Sequence, residues 1–180
     1  MSLEIIMGPM FSGKTTHAIS FIRRQKFIGN SILALKPMID TRYSSDAKIV
    51  SHNKEEVSCL LWDHNKSLEF KDEFLSVNSI IIEEAQFFKG LLDFIKIALL
   101  TYKKNILLVG LDGDAQQQKF GEVLDCIPYA SNIQKLNALC LKCKDGTWAH
   151  YTKKLVSDSE QIDVGSSEKY MSVCLKHLLS

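Results

Sequence analysis

The sequence predicts an α/β protein built on a parallel sheet with helices on both faces, and three observations predict it. Short, largely apolar runs, "LEIIM", "SILAL", "SIII" and "NILLVGL", recur through the first two-thirds of the chain. A strand that is apolar at every residue is buried on both faces, which is the situation of strands in a parallel sheet. Stretches with helical spacing separate these runs, as the crossovers between parallel strands require. Finally, the first run stops at a glycine-containing loop that leads directly into a helical stretch.

In chain order, Leu3 to Met7 is predicted as a strand that ends at Gly8-Pro9. From Thr15 to Ile28 the apolar residues Ala18, Ile19 and Ile22 fall on one helical face, and Gly29-Asn30 supplies C-cap chemistry. Ser31 to Leu35 reads as a second strand, closed before Pro37, and "VSCLLW", Val57 to Trp62, as another. Ser79 to Ile82 and Asn105 to Leu111 are further buried strands. Between them "GLLDFIKIALLTYKK" places Leu91, Leu92, Ile95, Ala98 and Leu99 on one face and ends in lysines that suit a helix C-terminus. Beyond Ala138 cysteine, glycine, serine and threonine become more frequent and no long helical period appears. The expected division is a larger domain over 1–138 and a small lobe over 139–180.

The 180 residues suffice for one domain with a full core, and 46% hydrophobic with 24% charged residues is an ordinary globular composition. Lysine and arginine total 22 against 21 acidic residues. That near-neutral balance argues against a dedicated nucleic-acid binder. No apolar stretch is long enough to span a bilayer, and "MSLEIIMGPM" has no basic region ahead of an apolar one. No membrane partner and a reducing, cytoplasmic location are therefore expected, so the five cysteines need a reading other than disulfides.

"GPMFSGKTT", Gly8 to Thr16, satisfies G-x-x-x-x-G-K-[ST] through Gly8, Gly13, Lys14 and Thr15. Glycines let successive backbone N–H groups curl around a phosphate, and the following helix adds the positive end of its dipole. The loop residues Gly8, Pro9, Met10, Phe11, Ser12 and Gly13 would form the cradle. Lys14 would reach the β- and γ-phosphates, and the Thr15 hydroxyl would ligate Mg²⁺. A nucleoside triphosphate with Mg²⁺ is the expected cofactor.

Cys140 and Cys143 form C-x-x-C, and Cys174 and His177 form C-x-x-H, with 30 residues between the pairs. Three thiolates and an imidazole make a closed tetrahedral Zn²⁺ set with no position left for substrate. The long spacing implies a hairpin or loop held between the two knuckles. A redox pair is the alternative for Cys140 and Cys143, but the matching C-x-x-H favours metal. Cys59 and Cys126 have no partner at ligand spacing and are expected to pack.

A third signal is "IIIEEAQFF", in which a buried strand runs into adjacent carboxylates, Glu83 and Glu84. Strand alternation would send the two to opposite sides and so to separate roles.

Taken with the phosphate loop and the cysteine pairs, this stretch resembles the type II thymidine kinase family over nearly the whole chain. "KPMIDTRYSS", "EEAQFF", "LDG" with "KFG", "HYTKKL" and "VGSSEKYMSVC" resemble that family's segments in the same order. The resemblance implies a RecA-like P-loop NTPase fold with a zinc-containing lobe and a loop that closes over the substrate. It implies transfer of the γ-phosphoryl of ATP to the 5′-hydroxyl of thymidine, and a homotetramer. Glu84 matches the family's general base, which fits a carboxylate placed to orient an attacking hydroxyl. Glu83 matches an aspartate that helps hold Mg²⁺, directly or through water. Asp40, Thr41 and Arg42 match residues near the phosphates, Arg42 as a source of transition-state charge stabilisation, and Gln86 falls among the cofactor-binding positions. Without the family, "DTRYSS" also reads as a polar turn. Phe87 would stack on the base, and Phe120 would pack over the pocket. Main-chain groups of Gln161, Ile162, Asp163, Val164 and Gly165 would grip the base, with Tyr170 nearby. Core packing is the alternative for both phenylalanines, and Phe88 is expected in the core.

Where the family commonly has T-F-Q-R-K-P-F-G, this chain has "DAQQQKFG", Asp114 to Gly121. An aromatic that contacts substrate is replaced by Ala115, and an arginine by Gln117. Weaker thymidine binding is expected, and the alternatives are a kinase for another deoxynucleoside or an ATP-binding relative with weakened catalysis. A zinc-ribbon NTPase acting on nucleic acid is disfavoured by the neutral charge and the lack of a basic aromatic platform.

Overall fold

In the computed structural model the described residues are 1–39, 47–51, 54–155 and 167–180. β1 (Ser2–Met7) leads through the glycine loop into α1 (Lys14–Phe27), and β2 (Ile32–Pro37) follows. Next come three short strands, β3 (Lys48–Val50), β4 (Glu56–Ser58) and β5 (Leu60–Trp62), then a single turn, α2 (Asp72–Leu75). β6 (Ser79–Ile82), α3 (Leu91–Lys96) and β7 (Asn105–Gly110) complete the middle of the chain. β8 (Asn132–Lys135) precedes the short C-terminal strands β9 (Ala138–Leu139), β10 (Trp148–Ala149), β11 (Tyr151–Lys154) and β12 (Tyr170–Val173), and α4 (Leu175–Leu178) ends the chain.

Six strands form one sheet in the order β5-β2-β6-β7-β1-β8, with every pairing parallel. The fold class is therefore the expected one, a parallel P-loop NTPase sheet. β7 is inserted between the loop-bearing strand β1 and the glutamate-bearing strand β6, with Met7 opposite Gly110 and Leu108 opposite Ile82. Alternate residues of each strand face opposite layers. Ile81, Leu107 and Val109 pack under Ala18, Ile19 and Ile22 of α1. On the other face Ile80, Ile82, Ile106 and Leu108 meet Leu91, Phe94 and Ile95 of α3. Both layers are dry, which explains the unbroken apolar runs.

Four details depart from the sequence expectation. "VSCLLW" is broken at Cys59, whose N–H donates to Ala47, so β4 pairs with β3 while β5 joins the main sheet. β8 was not foreseen because all four of its residues are exposed; an edge strand held by backbone pairing to β1 carries no apolar signature. α3 passes into a π-helical turn over Ile97–Thr101. Beyond it Lys104 does not serve the helix end as expected: it is buried and donates to the carbonyls of Leu75 and Val77.

In the C-terminal part β9 pairs with β10 and β11 with β12, all antiparallel, around Ala138, Cys140, Ala149, Val173 and Cys174.

Candidate active site and metal centre

β1 ends where Gly8 takes φ +148°, and a Cβ there would lie 2.4 Å from the Leu136 carbonyl oxygen. No side chain fits that approach, which is why the motif begins with glycine. Gly13, at φ +85°, caps α1. The first turn of α1 carries no acidic residue, so its positive end is left for an anion. Lys14 is buried and donates from Nζ to the Pro9 carbonyl at 2.7 Å, folding back along the loop. The Ser12 hydroxyl is buried with no hydrogen-bond partner among the described residues. A buried orphan hydroxyl inside a loop of this shape fits a phosphate oxygen.

The Thr15 hydroxyl donates to Glu83 Oε1 at 2.5 Å, and Glu83 is only 3% exposed. A hydroxyl and a carboxylate brought together at the start of α1 are the hard oxygen donors that Mg²⁺ takes beside a triphosphate. Glu84 takes a different path. Its φ of 53° and ψ of 46° put a non-glycine residue in the left-handed region, at the head of the 3₁₀ turn Ala85–Phe87. The two carboxylates are therefore separated by a backbone kink and not by strand alternation, because β6 has already ended at Ile82. Conformations of this sort cost about 1–3 kcal/mol and cluster at functional sites. Glu84 lines one cleft together with Phe11, Ser12, Gly13, Lys14 and Thr15. Its Oε2 accepts from Gln86 Nε2 at 2.6 Å.

Met10 and Phe11 link the phosphate loop to the C-terminal part. The Met10 N–H donates to Thr152 Oγ1 at 3.0 Å, and Phe11, itself at φ +64°, packs on the small C-terminal core. Pro9 and Thr152 also line a second cleft with Asp112, Asp114, Lys135 and His150.

In the expected substrate loop, Asp114 is buried and its Oδ1 accepts from the N–H groups of Gln116 and Gln118 at 2.9 and 2.8 Å. This pins a tight turn in which Gln117 has φ +58° and Ala115 is half-buried. Gln117 lines the second cleft. Phe87 and Phe120 meet edge-to-face at 5.3 Å, with Phe120 buried and Phe87 half-buried. Phe88 lies in the core, as expected. Tyr170 is buried at the start of β12, with Lys154 Nζ 5.9 Å from its ring. Asp40, Thr41 and Arg42 lie outside the described residues, as do Gln161, Ile162, Asp163, Val164 and Gly165.

Cys140, Cys143, Cys174 and His177 converge, with all four ligand atoms within 4.8 Å of one another. His177 Nδ1 is 3.4–3.5 Å from each of the three sulfurs, and the sulfurs of Cys143 and Cys174 are 3.8 Å apart. Zn–S bonds of 2.3 Å give tetrahedral S···S edges of about 3.8 Å. The residues therefore fit a zinc ion at the centre of the set. Burial by itself would raise the Cys140 thiol, but N–H groups of Cys174, Cys143 and Lys142 and the His177 ring bring it down to about 6. Cys143 is instead pushed up to about 11 by desolvation and its neighbouring thiols. Cys126 is buried in the sheet core and pushed up to about 12, mainly by burial, and Cys59 packs on the opposite layer, so both act as packing residues.

The sequence model of the thymidine kinase family matches residues 1–178. The chain belongs to that family. Membership makes it an ATP-dependent kinase, which implies ATP with Mg²⁺. Among relatives, it is 36% identical over 174 residues to the cytosolic thymidine kinase of Homo sapiens, covering 96% of this chain and 70% of that protein. It is 35% identical to a thymidine kinase of Arabidopsis thaliana over 99% of this chain and 75% of that one. The thymidine kinase of Sheeppox virus is 32% identical over 97% of this chain and 94% of its own length. Among the described residues no helix is long and apolar enough to cross a membrane.

Sequence reasoning passed over two contributors to this site. Thr152 shows itself only through its partner Met10 across the fold, and Asp114 only through the turn it pins at Gln116 and Gln118. Gln86, expected among the cofactor-binding positions, has a side chain that reaches Glu84 and the backbone of Leu111.

Proposed function

We propose that this family member transfers the γ-phosphoryl of ATP to the 5′-hydroxyl of thymidine, with Glu84 as the general base. One observation carries this reading: the Glu84 carboxylate faces the same cleft as Lys14 and Thr15, held there by a left-handed backbone. The phosphate loop would hold the triphosphate through its N–H groups and the Ser12 hydroxyl, with Lys14 exchanging its bond to Pro9 for the β- and γ-oxygens. Thr15 and Glu83 would hold Mg²⁺, which when bound neutralises charge on those oxygens. Glu84 would accept the proton of the 5′-hydroxyl as that oxygen attacks, a role worth about 10²- to 10⁴-fold in rate. Arg42 is assigned to charge stabilisation and Asp40 and Thr41 to the phosphate region by resemblance alone. The same holds for the base grip by Gln161 to Gly165 and for Tyr170. Phe87 and Phe120 would supply an apolar wall for a flat, uncharged pyrimidine.

Structural Zn²⁺ in the Cys₃His set would crosslink the two ends of a lobe over 139–180, which follows a nucleotide-binding domain over 1–138. The cytosolic names of relatives support a cytoplasmic location, and the family resemblance supports a homotetramer, which sedimentation would test. The deciding assay is label transfer from ATP to thymidine by wild type and Glu84→Gln. Loss of about 10²-fold or more is expected, and equal rates would refute the base assignment. A panel of nucleosides in the same assay tests the acceptor.

A further inference from the structure

We infer, on the reading of Glu84 as the base, that Gln86 is its positioning residue, part of a clamp completed by Gly110 and Leu111. Gln86 is 3% exposed, and its side-chain amide is the bridge between the end of β6 and the end of β7. The Leu111 N–H donates to Gln86 Oε1 at 3.0 Å. A backbone N–H can only donate, so it fixes which end of the amide is oxygen and turns the NH₂ group towards Glu84. There Nε2 meets Glu84 Oε2 at 2.6 Å, a short contact typical of a bond to a charged acceptor.

Two glycines make room for Gln86, Gly110 at its side-chain amide and Gly121 at its main chain. A Cβ on Gly110 would lie 2.9 Å from Gln86 Oε1, and a Cβ on Gly121 would lie 2.3 Å from the Gln86 carbonyl oxygen. Gly121 also has φ +60°. Gly110 sits opposite Met7, the last residue before the phosphate loop. The clamp thus refers the Glu84 carboxylate to the strand pair that carries the loop. Gln86 gives the left-handed Glu84 a direction, and is itself anchored by the Leu111 N–H 25 residues further along the chain. Nothing in this arrangement needs Gln86 to touch ATP, so the substitution of choice changes one donor and no shape.

Gln86→Glu is that substitution: it keeps an oxygen for the Leu111 N–H and replaces the donor facing Glu84 by an acceptor. Steady-state kinetics on the full, zinc-loaded protein should show kcat lower by about 10- to 100-fold, the range for a misplaced reacting group. The KM values for ATP and thymidine should stay within about threefold. In a Glu84→Gln background the same substitution should cost nothing further, since Gln86 acts only through Glu84. A normal kcat for Gln86→Glu alongside an inactive Glu84→Gln would overturn the clamp and leave the base standing. A raised KM for ATP with kcat intact would return Gln86 to the cofactor contacts and also overturn it. Full activity in Glu84→Gln would refute the base and the clamp together. If Gln86→Glu does not fold, Gly110→Ala tests the same point by pressing a Cβ on Oε1, with the same split between kcat and KM expected and unchanged kcat refuting it.

Discussion

Around the sheet, 20 buried apolar side chains pack on one face and eight on the other, whereas the C-terminal hairpins gather only five among the described residues. Two of those five, Cys140 and Cys174, belong to the metal set. Burial at about 25 cal/mol per Å² can sustain the first region but not a cluster of alanines, a valine and cysteines. One region is thus held by apolar packing, while the other gathers a Cys₃His cluster whose geometry fits zinc. The active site draws on both, because the phosphate loop grows from the sheet and rests on the hairpins through Met10 and Phe11.

The comparison breaks most visibly at the metal. Cys143→Ser, or chelation of the wild type, should abolish stoichiometric zinc and expose the backbone of β9 to β12 to hydrogen exchange. Zinc in small domains contributes on the order of 10–16 kcal/mol, more than the C-terminal core can replace. Protection of β1, β6 and β7 should survive, and its loss would show that the sheet depends on the metal as well.

Phe94→Ala makes the converse test. This ring is 1% exposed and stacked edge-on with Phe74 at 5.1 Å, so truncation should cost about 3–5 kcal/mol in chemical denaturation. Zinc content in the folded protein should remain at one per chain.

Thr152→Val acts at the join. It strands the buried Met10 N–H, a loss of about 1–3 kcal/mol, and leaves both the sheet core and the zinc ligands intact. The expected result is a raised KM for ATP with wild-type zinc content. An unchanged KM would mean that the loop holds its shape without the hairpins.

The smallest effect is expected at Ala115. Ala115→Phe restores apolar area to a turn already pinned by Asp114, so the KM for thymidine should fall several-fold, by roughly the ~1–1.5 kcal/mol that such area brings. An unchanged KM would place that turn away from the base.

Residue order alone was enough to recognise β1 and its loop, because the glycines, Lys14 and Thr15 lie within a few residues of one another and their chemistry is local. The Cys₃His set was legible for the same reason, as two short pairs whose spacing suits one ion. β8 was invisible, since its pairing uses only backbone groups. Lys104 looked like a helix-end charge and proved to be a buried donor to Leu75 and Val77.

The sequence by itself determined the sheet class, the phosphate loop and the Cys₃His cluster, each a matter of period or close spacing. Only the tertiary structure decided that Glu83 and Glu84 part at a left-handed turn, that Gln86 turns towards the second of them, and that Thr152 braces the loop. These depend on contacts between residues far apart in the chain, and on a φ value that no residue type except glycine signals. A hydrogen bond that spans 142 residues, like that of Met10 to Thr152, leaves no local pattern to read.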